Sequence, residues 1–90
     1  MGAIAMARKR EVRLVSHMPQ LTRELAARQQ RPITQEIIAA ETGISIATVN
    51  RWMRGKITMI DKNVLFAFCK FYEIPLEESR QLIELLENDE

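Results

Sequence analysis

Ninety residues contain one cysteine, one histidine, three glycines and three prolines. The lone Cys69 excludes an internal disulfide and fits a reducing compartment. His17, with a single cysteine for company, cannot build a metal site and is expected in a solvated or capping role. Gly2, Gly43 and Gly55 are too scattered for a glycine-rich phosphate loop. No paired carboxylate or Ser/His/Asp arrangement stands out, and acid–base or nucleophilic chemistry needs a positioned group with a partner. The sequence therefore does not read as an enzyme, and it calls for no cofactor and no metal. Apolar runs are only a few residues long, far short of a membrane span. Met1–Ala7 is too short for a signal-peptide core, and the charges follow it rather than precede it. A cytoplasmic protein without membrane contact is expected.

Apolar residues make up 47% of the chain, enough for one small core, and no low-complexity tract suggests disorder. A chain of this length buries about 60% of its extended surface, so modest stability is expected. The net charge is only +1, but it is unevenly spread. Residues 1–60 hold ten Lys or Arg against Glu11, Glu24, Glu36 and Glu41, a net +6. Residues 61–90 hold Lys62, Lys70 and Arg80 against eight acids, a net −5. Such a dipolar molecule can turn a basic face to phosphates and keep its acidic end away.

Arg8–Arg13 is a basic run, and Val12 and Leu14 alternate with Arg13. Residues 1–18 read as an N-terminal extension, either an extended arm or a short strand. Pro19 suits a first helical turn, where its missing N–H costs nothing. Leu21, Leu25 and Ala26 give that helix an apolar side up to about Gln30, and Arg31–Pro32 stops it. The next three helix starts share one device, a capping residue preceded by isoleucine and answered by an aliphatic four places into the helix. Ile33–Thr34 answers to Ile38, Ile44–Ser45 to Val49, and Ile60–Asp61 to Leu65. These are N-caps with hydrophobic staples, each cap worth ~1 kcal/mol. They predict helices from about Gln35 to Thr42, Ile46 to Arg54 and Lys62 to Tyr72.

In the last of these, Leu65, Phe68, Cys69 and Tyr72 form a core-facing stripe, and Phe66 lies off it. Pro75 is expected to open a fifth helix with Glu77 and Glu78 at its positive end and Leu82, Ile83, Leu85 and Leu86 along its apolar side. The expected architecture is all-α, a compact five-helix bundle over residues 19–88.

The stretch Gln35–Arg54 carries the functional signal. It spells a helix, a sharp turn at Gly43 and a second short helix. Ala39 is small where the two helices would cross, Ile38 and Ile44 flank the turn, and Val49 and Trp52 share one face of the second helix. The opposite face holds Ala47, Asn50, Arg51 and Arg54. That is the construction of a helix-turn-helix, in which one helix braces and the next enters a major groove. Arg51 can reach guanine O6 and N7, Asn50 an adenine or a phosphate, and Ile46 and Ala47 a thymine methyl. Ile46, Ala47, Thr48, Asn50 and Arg51 are the candidate base contacts. Thr34, Gln35, Ser45, Arg54 and Lys56 are the candidate phosphate contacts.

The residues TQEIIAAETGISIATVNRWMRGK, followed by VLFAFCKFYEI, resemble the phage repressor and Cro-type helix-turn-helix family. The resemblance runs from about Leu21 to Ile74, with Ala39, Gly43 and Val49 at the motif's fixed points. It implies a repressor-like DNA-binding fold, base contacts from the start of the second motif helix and from Arg51, and phosphate contacts from Gln35, Asn50 and Arg54. Two departures stand out. Glu73 replaces a frequent glycine, so strain is expected at that helix end. Ile46 and Ala47 replace residues that are often polar, so direct readout there is expected to be weak.

The function expected on these grounds is sequence-specific binding of double-stranded DNA by a transcriptional regulator of a bacterium or mobile element. The alternative is an antitoxin or adaptor that uses the same fold to bind a protein partner. One helix-turn-helix reads only a few base pairs. A homodimer is therefore expected, formed through the fifth helix with help from Val12–Val15.

Overall fold

The computed structural model describes residues 10–89. The order is β1 (Arg10–Ser16), α1 (Met18–Gln29), α2 (Gln35–Thr42), α3 (Ile46–Met53), α4 (Lys62–Phe71), a 3-10 helix (Leu76–Gln81) and β2 (Ile83–Asp89). Three helix starts follow their caps. Thr34 Oγ1 accepts from the Ile37 amide at 3.2 Å, and Ser45 Oγ from the Thr48 amide at 3.2 Å. Asp61 accepts from the amides of Asn63 and Val64. Each side chain thereby satisfies an amide that the helix itself leaves unpaired.

Helix α1 ends where expected, with Gln30 in the left-handed region at φ 53°. The end of α4 is closed in the same manner by Glu73, at φ 60°. The Ile74 amide donates to the Cys69 carbonyl at 2.8 Å and the Glu73 amide to the Lys70 carbonyl at 3.2 Å. That is a complete Schellman closure built without glycine. The closure turns Ile74 inward, where it is buried beside Cys69.

The core is made by Met18 and Leu25 of α1, Ile38 of α2, Val49 and Trp52 of α3, and Phe68, Cys69 and Tyr72 of α4, with Ile74, Leu82 and Ile83 from the C-terminal segment. Trp52 meets Phe68 edge-on, with ring centroids 5.0 Å apart, a geometry favoured by the ring quadrupoles. Thr22 is the one polar residue among the buried side chains described. Its hydroxyl lies 2.8 Å from the Tyr72 hydroxyl, so both are satisfied. Burial raises the Tyr72 phenol above its ordinary value, against a smaller lowering by the Thr22 hydrogen bond. Burial also raises the Cys69 thiol.

The C-terminal third departs from the all-α expectation. The fifth helix does open after Pro75, but as a short 3-10 helix and not as an α-helix running to the C-terminus. Leu76–Gln81 is a 3-10 helix interrupted at Glu78, and Ile83–Asp89 is a strand. β1 and β2 pair antiparallel, with Val12 opposite Glu87, Leu14 opposite Leu85 and Ser16 opposite Ile83. A short apolar run such as Leu82–Leu86 fits helical and strand spacing equally well. What decides it is the β-branched partner strand around Val12 and Val15.

Arg10–Ser16 of the N-terminal extension is a strand and is tied to the far end of the chain; positions 1–9 of the extension lie outside the described residues. The helices still form the small, compact body expected, and what departs from the expectation is the added two-stranded ribbon. With the ribbon included, the radius of gyration is 15.9 Å, against roughly 12 Å for a globule of this length. The overall extents are 57 × 23 × 21 Å. His17 sits at the base of the ribbon as well, where its Nε2 lies 3.1 Å from Glu84 Oε1 instead of capping α1.

Candidate nucleic-acid interface

Helices α2 and α3 are joined by a turn that the chain stitches from within. Gly43 takes φ 76°, which lets its amide donate back to the Ala39 carbonyl at 2.9 Å. Thr42 Oγ1 donates to the Ile38 carbonyl at 2.7 Å and accepts from the Ile44 amide at 3.2 Å. One hydroxyl therefore holds both sides of the turn, a role not evident from the residue's place in the sequence. Ala39 and Ile44 are partly buried against the core, and Ile38 and Val49 are fully buried beneath the crossing.

The crossing brings together residues that are far apart in the chain. Asn50 Nδ2 donates to Gln35 Oε1 at 3.2 Å, bracing α3 against the start of α2. Gln35 and Asn50 are half-buried. This bond engages one Asn50 proton and leaves its carbonyl oxygen unengaged among the described residues. Thr34 is exposed, but its hydroxyl is occupied in capping. Glu36 adds a negative charge in the first turn of α2 and so offsets part of that terminus's attraction for an anion. No acid lies in the first turn of α3.

Along the outer side of α3, Ser45, Thr48 and Arg51 form a polar chain. Ser45 Oγ and Arg51 Nη2 each donate to Thr48 Oγ1 at 3.0 Å. With two bonds accepted, the Thr48 hydroxyl keeps its own proton free to donate outward. Arg51 is exposed, and releasing its single bond costs only about 1 kcal/mol.

Ile46 is 47% exposed, and Ala47, Arg54 and Lys56 are exposed with it. Gly55, at φ 70°, closes α3 through the Lys56 amide to the Arg51 carbonyl at 2.9 Å, which fixes the backbone that carries Arg54 and Lys56. The ion pairs among the described residues are His17–Glu84 and Arg31–Glu41; none involves Arg51, Arg54 or Lys56.

A cleft of about 320 Å³ separates α3 from the loop that follows it. Its walls include Thr48 and Arg51 on one side and Thr58, Met59 and Asp61 on the other. Sequence reasoning missed this second wall, although Gly55 marks where the loop begins. Among the described residues there is no group of three His, Cys, Asp or Glu fit to hold a metal. No helix among them is long and apolar enough to cross a membrane.

A family model described as helix-turn-helix matches residues 25–79. The chain belongs to that family, in its Cro/C1-type form. The matched span contains both motif helices, the turn and α4, so every candidate contact residue lies within the helix-turn-helix domain. Membership supports a DNA-binding regulator in general terms. Comparison with curated proteins and with solved structures finds no match.

Proposed function

We propose that this chain is a sequence-specific transcriptional regulator that binds double-stranded DNA by laying α3 in the major groove, and that it acts by binding rather than by catalysis. The observation that carries this reading is the exposed cationic strip of Arg51, Arg54 and Lys56, which has no carboxylate partner among the described residues. Unpaired cations on one edge of a helix-turn-helix are the electrostatic footprint of a phosphate-binding face.

In this reading Arg51 swings from Thr48 to a guanine edge. The freed Thr48 hydroxyl and the Asn50 carboxamide face neighbouring base or phosphate atoms. Ile46 and Ala47 offer apolar contact only, which suits a thymine methyl. Gln35, Thr34 and Ser45 meet one stretch of backbone through amides and short polar groups. Arg54 and Lys56 meet the backbone beyond the end of α3.

The test begins with selection of bound duplexes from a random pool. On the best site, Arg51→Ala should cost about 1–3 kcal/mol and relax one base position. Arg54→Ala should weaken all sequences alike and lower the salt slope by about 1. Unchanged affinity in both variants, or a pool that yields no enriched sequence, would refute the reading.

A further inference from the structure

The ribbon of β1 and β2 leaves unexplained surface. Among the described residues neither outer edge is paired, since the sheet has two strands. Val12 is 64% exposed, Leu85 61% and Leu86 45%. An isolated two-stranded ribbon is marginal in water, and an open edge invites another strand. The two edges differ in charge. β2 carries acids at positions 84, 87 and 89 and no base, so pairing β2 with its own copy would set like charges together. Pairing β1 with the β2 of another copy is heterologous, and heterologous contacts build rings or filaments and not the two-fold dimer that is the commonest assembly.

β1 is different because it is self-complementary. In its sequence Glu11 and Arg13 stand on either side of Val12. An antiparallel β1–β1 pair with its two-fold axis at Val12 sets position 11 of each copy opposite position 13 of the other. Two opposite-charge pairs then flank a central pair of valines. Within its own ribbon, position 11 is in register with Asn88 and position 13 with Leu86.

We propose that two copies of this chain dimerise by antiparallel pairing of their β1 edges about Val12, forming one four-stranded sheet in the order β2-β1-β1-β2. The dimer places the two helical bodies at opposite ends of the sheet. The inference stands apart from the DNA reading, because it concerns the protein without DNA. It also moves the expected interface. Leu82 and Ile83, assigned to a helical dimer face from sequence, are buried in their own core and unavailable.

The test is sedimentation of the full chain without DNA, over micromolar to millimolar concentration. The wild type should reach twice the monomer mass. Glu11→Arg and Arg13→Glu should each raise the dimer Kd roughly tenfold or more, because both cross-strand pairs become repulsive. An equimolar mixture of the two variants should restore a dimer containing one copy of each, and the double variant carrying both changes should match the wild type. Circular dichroism should show each single variant still helical. A wild type that remains monomeric, single variants that dimerise as the wild type does, or a mixture no tighter than its components would each overturn the proposal.

Discussion

Glu73 holds a left-handed conformation, at φ 60°, that an L side chain adopts at about 1–2 kcal/mol. Replacing it with glycine removes that cost. Glycine also gains freedom in the unfolded chain, which returns about 0.4–1 kcal/mol of the benefit. Both backbone bonds of the closure survive, since the amides of Glu73 and Ile74 make them, and the side chain is exposed. A second effect must be separated from the first. A carboxylate at a helix C-terminus opposes the dipole by about 0.3–1 kcal/mol, and any neutral residue relieves it. Glu73→Ala keeps the Cβ and loses the charge, so it is the reference. Glu73→Gly should exceed Glu73→Ala by about 0.5–1 kcal/mol. At about 4–8 °C per kcal/mol for a domain of this size, that is a gap of about 2–8 °C in Tm by thermal melting. Equal Tm values, or a less stable glycine variant, would refute the strain argument at this helix end.

Three further outcomes are expected. Thr22→Val should cost about 1–3 kcal/mol in chemical denaturation, because the buried Tyr72 hydroxyl loses its partner at 2.8 Å. Tyr72→Phe should cost less, since Thr22 Oγ1 also reaches Met53 Sδ at 3.8 Å. The Cys69 thiol and Tyr72 phenol are both raised in the folded state, so the unfolded chain loses their protons first. The stability they contribute should be intact below about pH 9, and should fall as pH rises through their folded values. In stability measured against pH, Tyr72→Phe should flatten the part of that decline above about pH 10. At the motif turn a side chain at position 43 would meet nothing within 4 Å, so Gly43→Ala should cost only the left-handed strain less the unfolded-chain gain, about 0.5–1 kcal/mol. Ala39→Leu, against the core, should add an overpacking cost of about 1–3 kcal/mol. Melts as stable as the wild type for both would contradict the helix crossing.

What could be read from the sequence is what local chemistry controls. Thr34, Ser45 and Asp61 set helix starts because a cap needs only the next three residues. Gly43 marked the motif turn because left-handed backbone is a property of one residue. The apolar spacing of Val49, Trp52, Phe68 and Cys69 identified the core side of α3 and α4, and the outward face of Ala47, Asn50, Arg51 and Arg54 followed from the same period, with Asn50 half-buried and the other three exposed. The sequence also flagged Glu73 as a strained position, and its φ agrees.

Tertiary structure decided the rest. The brace from Asn50 to Gln35 spans fifteen residues and exists only because α2 and α3 cross there. Likewise Arg51 and Thr58 share a cleft only because the loop after Gly55 folds back toward α3. The largest difference is at the C-terminus, where Leu82–Leu86 carries a pattern that two secondary structures satisfy. A strand's backbone bonds lie outside its own segment, so its stability depends on a partner. That partner is β1, at the opposite end of the chain, and only folding brings the two together.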